Sequence, residues 1–181
     1  MSKASLTEVL RRARLLALDV DGTLTDGSIV LLGGSALEKP QEIQRFDVRD
    51  GISMRWLADA GITLAWISGR GADVTSARGV ELGIHHVALR VPDKFVELER
   101  LQARLGIDPA DTIAMGDDLP DLAMRSRAAF FAAPSDACED VRARADLVTR
   151  AAGGAGAVRE LAEAILRARG AWDAIVESYA R

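Results

Sequence analysis

The sequence predicts an α/β fold, a Rossmann-like parallel sheet flanked by helices, on three observations. Short apolar runs of β type recur along the chain, segments with apolar residues at three- and four-residue intervals lie between them, and glycines punctuate the ends of those segments. Residues 15–18, 62–67, 86–89, 112–115 and 128–132 read as strands. The first of these, Leu15-Leu16-Ala17-Leu18, has no polar position, as a strand covered on both faces of a parallel sheet requires. Residues 52–60, 73–82, 95–105 and 119–125 read as helices. In the third helix Phe95, Leu98, Leu101 and Leu105 share one face, with Glu97, Glu99, Arg100 and Arg104 opposite. Gly61, Gly83 and Gly106 stand where helices should stop. Strand–helix alternation of this kind implies helices on both faces of the sheet.

One segment breaks the alternation. Residues 28–32 and 41–46 both have strand character, with Gly33-Gly34-Ser35 as a turn, so residues 28–46 form a small β-hairpin insertion just after the acidic strand. Residues 156–181 read as a helical tail broken near Gly170, with Ala157, Leu161, Ala164, Ile165 and Ala168 on its apolar face. Trp56 and Trp66 read as core and Trp172 as tail packing. No linker or repeat divides the chain, and residues 1–181 form one domain.

Composition narrows the function. Of 181 residues, 49% are hydrophobic and 28% charged, the balance of a globular enzyme-sized domain. Acids outnumber bases 27 to 23, which argues against nucleic acid as a partner. Arg11, Arg12 and Arg14 form the densest basic cluster and read as a solvated helix end. A single cysteine, Cys138, excludes an intrachain disulfide and suits a reducing compartment. No apolar run reaches the roughly 18 residues of a membrane span, and residues 1–14 lack the hydrophobic stretch of a signal peptide, so the expected location is cytoplasmic with no membrane partner.

The chemistry concentrates at strand ends. The first strand runs directly into Asp19-Val20-Asp21-Gly22-Thr23-Leu24-Thr25. Two carboxylates spaced i, i+2 at the end of a buried strand need a cation, a proton or strong donors. Before a glycine that lets the backbone turn, they suit a Mg²⁺ site for phosphoryl chemistry, although Asp-Gly is also ordinary turn chemistry. The second strand ends at Ser68-Gly69-Arg70 and the fourth at Gly116-Asp117-Asp118, with Asp121 following; Lys94 opens the helix after the third. Ligands of open α/β sheets bind outside the carboxyl ends of the strands, so these groups converge on one crevice. Taken singly, Ser68 reads as a helix N-cap, Lys94 as a solvated helix residue, and Asp118 and Asp121 as first-turn acids. No Walker-type glycine-rich loop is present, and His85 and His86 have no partner ligands and read as structural.

Asp19-x-Asp21-Gly22-Thr23, Ser68-Gly69-Arg70, Lys94 and Gly116-Asp117-Asp118-x-x-Asp121 resemble, in order, the four motifs of the haloacid dehalogenase superfamily of phosphatases. Over nearly the whole chain, residues 19–27, 46–51, 153–160 and the Trp172…Tyr179 tail resemble the 3-deoxy-D-manno-octulosonate 8-phosphate phosphatase group, which includes relatives acting on nine-carbon sugar acid phosphates. The resemblance implies a Mg²⁺-dependent homotetramer that hydrolyses a small sugar phosphate. It implies Asp19 as nucleophile, Asp21 as general acid and base, and Ser68 and Lys94 on the transferring phosphoryl oxygens. It implies magnesium held by the side chains of Asp19 and Asp117 and the backbone carbonyl of Asp21. Asp118 would orient Lys94 or a metal-bound water, with Asp121 behind it. Thr25, Arg49, Asp50, Ser68, Gly69, Arg70 and Lys94 are the substrate-binding candidates; an arginine placed like Arg70 is also often a surface ion-pair partner. Gly153-Gly154-Ala155-Gly156 reads either as an anion cradle or as a flexible loop. The hairpin is longer than the group's usual one, and Leu89-Arg90-Val91-Pro92-Asp93 lacks the small polar residues often found before the lysine; both bear on the sugar. Domains resembling this group also serve as non-catalytic oligomerisation modules, but a module need not keep Asp19, Asp21, Lys94 and Asp117, all of which are present.

Overall fold

The computed structural model describes residues 3–35 and 40–180. In chain order the elements are α1 (Lys3–Arg12), β1 (Leu15–Leu18), β2 (Val30–Leu32), β3 (Gln41–Ile43), α2 (Val48–Asp59), β4 (Thr63–Ile67), α3 (Asp73–Leu82), β5 (His86–Ala88), α4 (Lys94–Leu105), β6 (Thr112–Met115), α5 (Leu122–Arg125), β7 (Phe130–Ala133), α6 (Glu139–Arg142), β8 (Leu147–Val148), α7 (Ala157–Ala168) and α8 (Trp172–Tyr179). Short 3₁₀ turns, Pro109–Asp111 and Leu119–Asp121, precede β6 and α5.

Six strands form one parallel sheet in the order β5-β4-β1-β6-β7-β8. The chain steps outward from β1 through β4 to β5, then returns to β6 on the other side of β1 and steps outward again. The reversal of direction between β1 and β6 is the topological switch point at which open α/β sheets bind ligands.

Alternation along the strands sorts the core into two layers. Leu16, Leu18, Trp66 and Met115 face Leu57 of α2 and Val158, Leu161 and Ile165 of α7. Leu15, Ala17, Ala65, Ala114 and Phe131 face Leu98 and Leu101 of α4 with Met124 and Val141. Ala17 is in register with both Ala65 and Ala114, so three methyl side chains lie abreast across the middle of the sheet. That row leaves room for the leucines of α4 to pack closely, which brings the start of α4, and Lys94 with it, to the sheet edge.

The hairpin ladder is shorter than expected. Val30 pairs with Ile43, Leu31 with Glu42 and Leu32 with Gln41. Ser28 is instead held by Asp26, whose carboxylate accepts from its amide at 3.1 Å and its hydroxyl at 2.6 Å, and Gln44 and Phe46 turn inward toward Asp21 and Trp66. Residues 36–39 of the connection, including Lys39, lie outside the described residues. β8 has two residues and no sequence signal of its own. The tail divides as predicted, with Gly170 at φ +70° between α7 and α8, and Trp172 packs edge-on against Trp56 with ring centroids 5.7 Å apart. No helix among the described residues is long and apolar enough to cross a membrane.

Helix α7 is anchored from below by α2. Asp50, in the first turn of α2, is buried, and its carboxylate accepts from the amides of Arg159 at 2.7 Å and Gly156 at 3.3 Å at the start of α7. Burial pushes the Asp50 carboxyl up to about 6, outweighing the two amides that favour its charged form. Its folded value thus lies above the ordinary 3.8, folding takes up a proton between the two, and this contribution to stability is present below the lower value and lost as pH rises through about 6. A carbon-detected NMR titration should place the Asp50 midpoint near 6, and Asp50→Asn should flatten the fall in urea-unfolding stability between about pH 4 and 6; a midpoint near 4 would contradict the assignment.

Candidate active site

The loop after β1 is folded so that carboxylates can crowd around it. The Asp19 amide donates to the Met115 carbonyl at 3.0 Å, extending the β1–β6 pairing one residue and fixing Asp19 at the switch point. The Val20 carbonyl then accepts from the amides of Thr23, Leu24 and Thr25 at 3.3, 2.9 and 3.0 Å. Gly22 sits at φ +101°, and a Cβ there would stand 2.1 Å from an Asp117 oxygen, so only glycine lets the Asp117 carboxylate lie against this turn. Thr23 Oγ1 donates to Asp117 Oδ1 at 3.1 Å. Residues 153–156 back the turn from outside: a Cβ on Gly153 would meet the Gly22 carbonyl oxygen at 1.8 Å, and the Gly154 amide donates to the Thr23 carbonyl at 3.1 Å. This glycine stretch is a packed wall, and the α7 N-terminus beside it is already occupied by Asp50, so neither an anion cradle nor a flexible loop describes it.

Inside the turn lies a charged cluster cut off from solvent. Lys94 is the first residue of α4, where Asp93 caps the helix by accepting from the amides of Phe95 at 2.9 Å and Val96 at 3.2 Å. Its ammonium donates to Asp19 Oδ1 and, at 2.5 Å, to Asp121 Oδ1. The other Asp121 oxygen accepts from the amides of Asp117 at 2.9 Å and Asp118 at 3.1 Å. Asp19, Lys94 and Asp121 are all buried. Burial and the neighbouring Asp121 charge push Asp19 well up, against the pull of Lys94, and burial with Asp121 brings Asp117 to about 6. Burial alone would lower Lys94, but Asp19 and Asp121 together raise it. Two carboxylates thus share one ammonium, with Asp117 beside them.

The cluster fits a divalent cation. Asp19, Asp117 and Asp121 each present an oxygen within 4.8 Å of the others, and the second Asp19 oxygen is buried with no hydrogen-bond partner. An all-oxygen, all-carboxylate donor set suits Mg²⁺ better than a thiophilic metal. The Asp21 carboxylate faces elsewhere, so any metal contact from this residue falls to its main-chain carbonyl.

Asp21 is instead surrounded by three donors, two from the loop after β4 and one from the end of the hairpin. Ser68 Oγ donates to one oxygen at 2.9 Å; Gln44 Nε2 donates to the other at 2.9 Å, and Arg70 Nε lies 3.3 Å from it. Gln44 is steadied by Thr75 Oγ1, which donates to its amide oxygen at 2.7 Å. Arg70 reaches on to Glu42 of the hairpin at 2.7 Å.

The structure therefore brings Asp19, Asp21, Ser68, Arg70, Lys94, Asp117 and Asp121 together. It is Asp121, not Asp118, that orients Lys94; Asp118 is exposed at the start of the 3₁₀ turn. Thr25 is buried in the loop interior, its hydroxyl accepting from the amides of Gly22 at 3.3 Å and Gly27 at 3.2 Å, and so clamps the turn. Asp50 is spent on α7. Arg49 lies at the outer rim, on Asp47 and the Ala155 carbonyl at 2.7 and 2.8 Å. Gly69 has ordinary space for a Cβ, with the Val91 carbonyl at 3.7 Å. Sequence reasoning missed Gln44, Thr75 and the contact of Thr23. The Thr23 contact was detectable from its place directly after the Asp-Gly turn, whereas Gln44 reaches Asp21, with Thr75 behind it, only because the hairpin folds back onto α3.

Comparison with known proteins agrees with this geometry. A profile of haloacid dehalogenase-like hydrolases matches residues 84–161. The 3-deoxy-D-manno-octulosonate 8-phosphate phosphatase of Escherichia coli K12 is 38% identical over 160 residues, covering 88% of this chain and 82% of that one. The crystal structure of the Moraxella catarrhalis phosphatase of the same name, in complex with magnesium ion, phosphate ion and KDO, superposes with a TM-score of 0.92 at 36% identity over 98% of this chain and 99% of that one. The cobalt-bound Haemophilus influenzae phosphatase superposes with a TM-score of 0.83 at 34% identity over 91% and 93%. With identity sustained across most of both chains and a common fold around the same sheet edge, the chain belongs to the 3-deoxy-D-manno-octulosonate 8-phosphate phosphatase family of haloacid dehalogenase-like hydrolases.

Proposed function

We propose that this phosphatase hydrolyses 3-deoxy-D-manno-octulosonate 8-phosphate, with Asp19 as the group that takes the phosphoryl. The observation that carries the reading is the buried Asp19–Lys94–Asp121 arrangement beside Asp117 at the β1–β6 switch point. It is supported by relatives that bear this activity in their names. Asp19, Asp117 and the Asp21 carbonyl would hold Mg²⁺, with Asp121 at hand. Bound there, the ion supplies positive charge that offsets the phosphate's own and keeps Asp19 ionised.

The side chains divide the remaining work. An Asp19 oxygen attacks phosphorus in line, and an aspartyl phosphate forms as the bond to the sugar oxygen breaks. Asp21 gives its proton to that departing oxygen, then takes one from the water that cleaves the acyl phosphate, so one carboxyl serves both steps in opposite senses. Gln44 orients Asp21 for these transfers. Lys94 and Ser68 hold phosphoryl oxygens, Lys94 by charge and Ser68 by its hydroxyl. The enzyme acts in the cytoplasm, where the lone Cys138 stays reduced.

Two measurements test this. Purified protein should release phosphate from 3-deoxy-D-manno-octulosonate 8-phosphate, lose activity on chelation and regain it with Mg²⁺. Asp19→Asn should lower turnover by more than about 10³-fold while its circular dichroism is unchanged, because an amide is a poor nucleophile. Turnover near wild type in the folded variant, or full activity after metal removal, would refute the assignment.

We further propose a homotetramer in which hairpins pack between subunits and cover one another's crevices. Ile29, Val30, Leu31 and Leu32 are each at least half exposed, and Ile43 nearly so. A two-stranded ribbon is marginal by itself, and consecutive exposed apolar residues on both its faces call for a partner. Light scattering should give four times the chain mass of 19.3 kDa, and Val30→Asp should lower the mass and the activity together; a fully active monomer would overturn the proposal.

A further inference from the structure

Arg90 is the only non-glycine among the described residues with a positive φ, +56°. An arginine is rarely placed in the left-handed region, and it stays there only when its surroundings hold it. Here they do. The Arg90 amide donates to the Arg70 carbonyl at 2.8 Å, the Val91 amide donates to the Ser68 carbonyl at 3.0 Å, and the guanidinium donates to the Gly71 carbonyl at 3.1 Å. The side chain lies flat over Gly71, where a Cβ would come within 2.6 Å of its Cγ, Cζ and Nε. The backbone is bent and a neighbour is reduced to glycine so that this cation can take one position.

That position lies at a cavity, and no carboxylate pairs with it. Among the described residues Arg90 makes no ion pair, and its guanidinium lines a space of about 550 Å³ between the hairpin (Leu32, Glu42, Ile43) and the start of α3 (Asp73, Val74). The volume falls in the range of small-molecule sites. The cavity lies one side chain from the reacting groups, because Arg70 spans from Asp21 to Glu42, which lines it. Glu42 is neutralised by Arg70, and Asp73 opens α3, where the helix N-terminus offsets its charge. The cation left without a counter-ion is Arg90.

We infer that Arg90 binds the carboxylate of the sugar acid and selects for it. The inference rests on the substrate class proposed above: in an octulosonate 8-phosphate the carboxylate and the phosphate sit at opposite ends of the molecule. With the phosphate on Asp19 and Lys94, the acid end must be met by a cation set back from the reaction centre. A planar guanidinium held flat matches a carboxylate with two parallel hydrogen bonds.

The test compares wild type with Arg90→Gly, which relieves the backbone, and Arg90→Asn, which keeps a residue tolerant of the left-handed region while removing the charge. Each is assayed with Mg²⁺ on 3-deoxy-D-manno-octulosonate 8-phosphate, on a nine-carbon sugar acid phosphate and on glucose 6-phosphate, which has no carboxylate. Both variants should raise KM for the preferred sugar acid phosphate by about 10- to 100-fold, the loss of a charge-assisted hydrogen bond, with kcat within about 2-fold of wild type and glucose 6-phosphate hydrolysis unchanged. Arg90→Lys should recover part of the loss. An unchanged KM for the sugar acid, or an equal fall on glucose 6-phosphate, would overturn the assignment of Arg90 and leave the substrate reading standing. Wild-type enzyme that prefers the nine-carbon acid would displace the octulosonate reading while Arg90 is judged on that substrate. Wild-type enzyme with no preference for either acid over glucose 6-phosphate would overturn both.

Discussion

The structure depends on gathering three like-charged carboxylates, two of them buried, around one ammonium. Withdrawing each ion from water costs several kcal/mol, and Asp19, Asp117 and Asp121 repel one another besides. Lys94 answers two of them, the amides of Asp117 and Asp118 solvate Asp121, and Thr23 donates to Asp117. The second Asp19 oxygen, buried and unpartnered, is the residual debt that a divalent cation would settle. This cost explains why the surroundings are so rigid. The alanine row that seats α4, the Gly22 turn and the wall at residues 153–156 all serve to keep four charged ends at fixed separations. A preorganised site of this kind needs little rearrangement when charge moves during reaction.

The same rigidity extends outward through the tail. Asp50 ties the start of α7 to α2, and Arg159, whose amide it holds, lays its guanidinium over Trp56 at 4.4 Å and Trp172 at 5.2 Å. Trp56 in turn donates to the Tyr179 hydroxyl at 3.3 Å. Cation–π contacts of this sort contribute about 0.5–1 kcal/mol each where partly exposed. They fasten α8 to the helix that also positions Asp50, so the end of the chain and the wall behind the active-site turn belong to one packed unit.

Much of this was legible in the sequence for one physical reason: local pattern decides what lies on a strand, and topology decides that strand ends meet. β1, β6 and α3 have the limits expected, and Asp19, Ser68, Lys94 and Asp117 stand at the predicted edge. What was not legible depends on through-space return. β8 has too few residues to show a period, and the α1 helix was signalled only by its basic end. The hydroxyl of Thr25 and the carboxylate of Asp50 are ordinary polar groups until the fold shows one inside a turn and the other under a helix. Asp118 and Asp121 both follow the fourth motif strand, and only the 3₁₀ turn determines that Asp121 points inward to Lys94 while Asp118 faces solvent.

The bond from Gln44 to Asp21 has a mechanical consequence. Gln44 directly follows β3, and its other end is pinned to Thr75 at the start of α3, so the hairpin, the Asp21 carboxyl and the helix form a three-point linkage. The ribbon contributes a donor to Asp21 and none to Asp19 or Lys94, which are held by the sheet and α4. Asp19 and Asp21 are thereby mounted on separate supports: the first on the sheet and α4, the second in part on an exposed ribbon. Whatever seats that ribbon reaches Asp21 through Gln44 and through the Glu42–Arg70 pair.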